Sequence, residues 1–181
     1  MINKEMFFDT DCISSFLWVK RGDIVVNLFT GKIILPKPVY DELKNPHIPH
    51  IGRKVDELYN DKLLEVLDIE VGSEEYNIYY ELAVNPPAGI LPIGKGEAAA
   101  IALAKVNGGV IASNNLKDII YYVKKYDLKY VTTGDILVRA LHNGEITEEE
   151  GNCIWSKMLL KRRKLPTKTF TDFIKTCTSN S

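Results

Sequence analysis

Residues 97–118 read EAAAIALAKVNGGVIASNNLKD, and this stretch decides the fold. Glu97 to Lys105 is an alanine-rich run with Ile101 and Leu103, composed of residues that extend a helix at little entropic cost. Gly108 and Gly109 end it. Val110-Ile111-Ala112-Ser113 is a short apolar segment of the kind that forms a buried strand. Asn114 and Asn115 then turn the chain, and Leu116 to Tyr126 returns to helical spacing. Helix, strand and helix in quick succession predict an α/β protein with a mostly parallel sheet covered on both faces.

The same alternation extends outward. Toward the N-terminus, Met6-Phe7-Phe8 is a short apolar strand that stops at Asp9-Thr10-Asp11, where side-chain oxygens suit a helix N-cap. Helical spacing follows through Ile13, Phe16 and Leu17. Ile24 to Phe29 reads as a second short helix, with a strand the alternative. Lys32 to Leu35 is a strand, and Pro38 opens a helix carrying Val39 to Leu43. Asn45 to Gly52 contains Pro46 and Pro49 and is expected to be a loop. A helix over 53–62, a strand over 63–69, a helix opened by Ser73 and a punctuated loop over 85–92 complete the first half. Beyond Tyr126, Tyr130 to Thr133 reads as a strand, and Leu137 to Leu141, Glu148 to Lys161 and Lys168 to Ile174 as helices. No repeat and no dividing linker interrupts the chain. One domain is expected over 1–181, with a core over 5–140 and a helical C-terminal extension over 145–176.

With 181 residues and a formal charge of −1, the chain has the length for a buried core, and its total charge marks neither nucleic acid nor membrane as partner. No segment reaches the roughly eighteen consecutive apolar residues of a membrane span. The start, Met1 to Met6, lacks the apolar region of a signal peptide. Cys12, Cys153 and Cys177 are odd in number and far apart, which fits reduced thiols and predicts a cytoplasmic protein.

The acids carry the functional reading. In open α/β sheets the carboxyl ends of the strands converge on a crevice. Asp9 follows the first strand, Ser113-Asn114-Asn115 follows a later one, Glu42 lies in the helix after the second, and Glu97 opens a helix after a glycine-flanked loop. If these face one crevice, carboxylates from distant parts of the chain meet. Two such charges about 4 Å apart repel by roughly 4 kcal/mol at an effective dielectric near 20. A cluster of this kind persists when a cation neutralises it or a proton is shared. Mg²⁺ and Mn²⁺ are the hard ions that such oxygens suit, and they support in-line displacement at a phosphodiester.

The segments Phe7-Phe8-Asp9-Thr10, Val39 to Leu43, Gly96 to Ala104, Val110 to Asp118 and, less sharply, Thr132 to Ala140 resemble PIN domains in order and spacing. The resemblance implies a three-layer sandwich around a central parallel sheet, endoribonuclease activity and dependence on Mg²⁺ or Mn²⁺. It also implies RNA as substrate, an antitoxin protein as partner and homodimer formation. Position by position, Asp9, Glu42 and Glu97 match the first three family acids. At the fourth, where the family often has Asp, this chain has Asn114 and Asn115. An acid three residues further on corresponds to Asp118. The implied set is therefore Asp9, Glu42, Glu97 and Asp118 as catalytic and metal-binding acids, with Asn115 as a neutral ligand. Thr10, Ser113 and Asn114 are supporting residues. The asparagines lower the charge of the site, so the alternative is a degenerate PIN fold that binds RNA or a protein.

Each acid also has an ordinary explanation when taken alone. Asp9 suits a helix cap, Glu97 the positive end of a helix, and Glu42 a solvated helix face. Asn114 and Asn115 are common turn residues. His47 and His50 lack the further ligands that zinc needs. Tyr76, Tyr79 and Tyr80 have the spacing of packing residues. Between Gly151 and Thr171 there is no acid, and Lys161, Arg162, Arg163 and Lys164 stand together, so this run is the candidate phosphate contact.

Overall fold

The computed structural model describes residues 4–179; Met1, Ile2 and Asn3, on which the expectation of no signal peptide draws, lie outside them, as do Asn180 and Ser181. Five strands and ten helices are formed among the described residues. The strands are β1 (Met6–Phe8), β2 (Ile33–Pro36), β3 (Glu65–Leu67), β4 (Val110–Ala112) and β5 (Lys129–Val131). All four pairings are parallel, in the order β3-β2-β1-β4-β5.

Parallel strands buried on both faces need apolar residues at every position, and the three central strands have them. Met6, Phe8, Ile33, Leu35, Val110 and Ala112 enter one core. Their neighbours Phe7, Ile34 and Ile111 enter the other. On the first face lie α1 (Thr10–Trp18), α2 (Gly22–Leu28), α3 (Lys37–Leu43), α4 (Pro49–Asn60), α8 (Thr133–His142), α9 (Glu148–Leu160) and α10 (Phe170–Ser179). On the second lie α5 (Glu74–Ala83), α6 (Lys95–Asn107) and α7 (Leu116–Lys125). The result is the three-layer α/β sandwich that the sequence predicts.

Helix α6 is buried along Ala98 to Ala104, so its alanines serve close approach to the sheet and to α5 as well as helix propensity. Gly108 ends it in the left-handed region at φ 67°, where a side chain is strained. Helices α8 and α9 each begin with a complete capping box, Thr132 with Asp135 and Thr147 with Glu150.

Three expectations need correction. The strand predicted over Tyr130 to Thr133 ends at Val131, because Thr132 caps α8 and Thr133 already begins it. The loop predicted over Asn45 to Gly52 is shorter, because Pro49 begins α4. A proline at the first helical turn forfeits no hydrogen bond, so here it starts an element. The strand predicted over 63–69 holds only Glu65–Leu67, because β3 is an edge strand paired to β2 alone. Ile24 to Leu28 resolves as helix, within α2, and Phe29 is its C-cap.

Candidate active site

Strand β1 is central. The chain leaves it toward β2 and β3 on one side, then returns to build β4 and β5 on the other. This reversal opens a crevice between β1 and β4 at their carboxyl ends. The ladder runs one residue beyond each strand, with Asp9 N donating to Ala112 O at 2.9 Å and Ser113 N to Val131 O at 3.0 Å. Asp9 and Ser113 are thereby set side by side, and Ser113 Oγ donates to Asp9 Oδ2. The other carboxylate oxygen accepts from Cys12 N at 2.7 Å and caps α1. The capping explanation is therefore correct, and it does not exhaust the residue.

Asp9 is only 1% exposed. Burial pushes its carboxyl up to about 7 from an ordinary 3.8; the hydrogen bonds from Ser113 and Cys12 oppose this, and the charges of Glu97 and Asp11 add to it. Burial also holds the Cys12 thiol well above its usual range, and the adjacent Asp9 charge adds to the effect.

The remaining acids surround this centre, each on a neutral donor. Glu42, near the end of α3, accepts from Thr10 Oγ1. Gly96 brings α6 against the same pair; a Cβ built there would fall 3.3 Å from Thr10 Oγ1 and 3.6 Å from Glu42 Oε2. Glu97 folds back over Gly94, where a Cβ would lie 2.1 Å from its Oε2. Asn115 Nδ2 donates both to Glu97 Oε1 at 3.2 Å and to Asp118 Oδ2 at 2.7 Å, and Asn115 N donates to Ser113 Oγ at 3.1 Å. The amide thus stands between two carboxylates, where its N–H groups relieve their repulsion.

Asn114 has a different task. Its Oδ1 accepts from Thr133 N and its Nδ2 donates to Thr133 Oγ1, both at 2.9 Å. Thr133 Oγ1 contacts Cys12 Sγ at 3.6 Å. This brace joins the turn after β4 to α8 and α1. Sequence spacing gave neither Thr133 nor Cys12 this role, because the contact spans 121 residues.

As donors, Asp9, Glu42, Glu97, Asp118 and the Asn115 oxygen form a hard, all-oxygen set that suits Mg²⁺ or Mn²⁺. Among the described residues, however, no three His, Cys, Asp or Glu side chains are gathered closely enough to hold an ion as they stand. Thr10 engages Glu42, and Asn115 engages Glu97 and Asp118, so coordination by these groups would require side-chain rotation and a turned Asn115 amide.

The basic run divides in two. Arg163 reaches Asp11 Oδ1 and Ser14 Oγ on α1, both at 3.4 Å, and Lys161 lies over the Trp18 ring at 5.6 Å. Those two pin the segment down. Lys164 lines a cleft together with Asn114 and Asn115, so positive charge does reach the edge of the acid site. Arg162 is exposed. His50 stacks edge-on against Trp18 at 4.7 Å, in keeping with a packing role. No helix among the described residues is long and apolar enough to cross a membrane.

No curated protein matches the chain. A family model described as a PIN domain matches residues 5–179, which takes in every strand and all four acids. Parallel sheet, switch-point acids and family match agree, and the chain belongs to the PIN domain family.

Proposed function

We propose that the protein is a metal-dependent endoribonuclease acting in the cytoplasm. The observation that carries this reading is the buried Asp9, held by Ser113 at the switch point with Glu97 near enough to raise its pKa. A carboxylate so placed is costly to ionise in isolation and becomes useful beside a cation. Asp9, Glu42, Glu97 and Asp118 would hold Mg²⁺ or Mn²⁺, with Asn115 as a neutral ligand. The bound ion would supply the positive charge that lowers the barrier to phosphodiester hydrolysis. Ser113 and Cys12 N fix the Asp9 carboxylate, Thr10 fixes Glu42, and Asn114 holds the turn that presents Asn115. The family resemblance extends this reading to a toxin restrained by an antitoxin protein.

A second reading rests on the Asn115 amide. Because it already bridges Glu97 and Asp118, the site is satisfied without an ion, as expected of a degenerate PIN fold that binds RNA or a protein. Calorimetric titration of Mn²⁺ into wild type and Asp9→Asn, beside an RNA cleavage assay, separates the two. The nuclease reading expects saturable binding and cleavage in wild type, and neither in the variant. Wild type that neither binds Mn²⁺ nor cuts RNA would sink it and leave the binding module.

A further inference from the structure

Beside the acid site lies a cleft of about 620 Å³ between the outer end of the sheet and the C-terminal segment. That volume is within the range of small-ligand sites, roughly 300–1,000 Å³. One wall is Tyr130 of the edge strand β5, which is 38% exposed. Leu165, Pro166 and Phe173 add apolar surface to the same cleft, the last held where α10 packs on Gly134. An accessible aromatic ring and apolar side chains in one cleft suit a planar base.

The polar lining agrees. Lys117 and Lys164 stand at the cleft, both exposed, and neither is ion-paired with a described residue. The acid in the lining, Asp135, is already engaged, since its Oδ2 accepts from Thr132 N at 2.8 Å and Thr132 Oγ1 at 2.7 Å. Its charge lies at the positive N-terminus of α8, which lessens its repulsion of an anion. Asn115 belongs to both places, lining the cleft and bridging Glu97 and Asp118.

Resting on the nuclease reading of the adjacent acids, we propose that this cleft binds the nucleotide next to the scissile phosphate of single-stranded RNA, with its base against Tyr130 and its phosphates at Lys164 and Lys117. Single strands are required because a paired base cannot present its face to Tyr130. The cleft would thus hold the strand by one base and its flanking phosphates, while the carboxylates determine where the bond breaks.

The test is fluorescence anisotropy of the full chain with a short fluorescein-labelled oligouridylate, in EDTA so that nothing is cut. Tyr130→Ala is expected to weaken binding roughly tenfold, within the usual contribution of one stacked base. Tyr130→Phe is expected to bind like wild type. Lys164→Ala is expected to weaken binding and lower the salt slope by about one counterion. The same oligomer annealed into a duplex is expected to bind weakly to all four proteins. Unchanged affinity in Tyr130→Ala, equal loss in Tyr130→Phe and Tyr130→Ala, or duplex binding as tight as single-strand binding would overturn the cleft. A parallel cleavage assay with Mn²⁺ keeps the two claims apart. Wild type that binds as expected without cutting removes the nuclease and retains the cleft, whereas cutting with Tyr130→Ala unaltered in binding removes the cleft alone.

Discussion

At Asp9 both carboxylate oxygens accept hydrogen bonds, from Ser113 Oγ and Cys12 N, yet the side chain is sealed from water and sits near Glu97. Burial outweighs the two bonds, so the folded pKa of about 7 stands above the ordinary 3.8. A raised folded pKa means that protonation favours the fold. The contribution is complete below about pH 4 and is lost as pH rises through about 7, on the order of a few kcal/mol for a group so buried. The thermal midpoint of wild type is therefore expected to fall across that window, as read by calorimetry. Asp9→Asn retains an acceptor for Cys12 N and carries no charge, so its midpoint is expected to vary less with pH and to exceed wild type at pH 8. A variant that tracks wild type at every pH would show that Asp9 is not the group being titrated. Millimolar Mn²⁺ at pH 8 is expected to raise the wild-type midpoint and to leave Asp9→Asn nearly unmoved, because a ligand stabilises only the form that binds it.

Helix α10 depends on two glycines in other elements. A Cβ on Gly151 would fall 2.3 Å from the Phe170 ring, and one on Gly134 would fall 2.4 Å from the Phe173 ring. Both rings also pack on Trp155, at 5.8 and 5.3 Å between centroids. Gly151→Ala is expected to cost about 1–3 kcal/mol, the usual range for overpacking. Hydrogen exchange is expected to quicken in α10 first, while β1 and β4 stay protected; uniform exchange across the chain would contradict local undocking. Sequence pattern disclosed the central elements well, because Met6-Phe7-Phe8 and Val110-Ile111-Ala112 are apolar without interruption and end at polar turns. It also disclosed why Asp9 and Ser113 meet, since both follow strands of one parallel sheet. The start of α4 was obscured because proline has opposite meanings inside a helix and at its first turn. The Asn115 bridge, the Thr133 brace and the cleft lined by Tyr130 and Phe173 were hidden for another reason. They arise from the packing of elements distant in sequence, which periodicity does not record.

Across the whole molecule, a formal charge of −1 hides an uneven field. Asp9, Glu42, Glu97 and Asp118 surround the carboxyl ends of β1 and β4, while Lys117 and Lys164 stand at the adjoining cleft. Arg163, tied to Asp11, fixes the basic segment to the same face as the acids. A phosphate approaching the crevice meets attraction at the lysines and repulsion at the carboxylates. An ion held by the acids would reverse the second effect and leave the first untouched. RNA affinity is therefore expected to rise when Mn²⁺ is added, by about tenfold for each 1.4 kcal/mol of repulsion relieved. Measured on a phosphorothioate-blocked oligoribonucleotide, this rise is expected in wild type and absent from Glu42→Gln combined with Glu97→Gln. The double variant is expected to bind RNA more tightly than wild type in EDTA, because two repulsive charges are gone. An equal Mn²⁺ effect in both proteins would place the ion on the RNA, and weaker EDTA binding by the variant would show that these carboxylates do not face the strand.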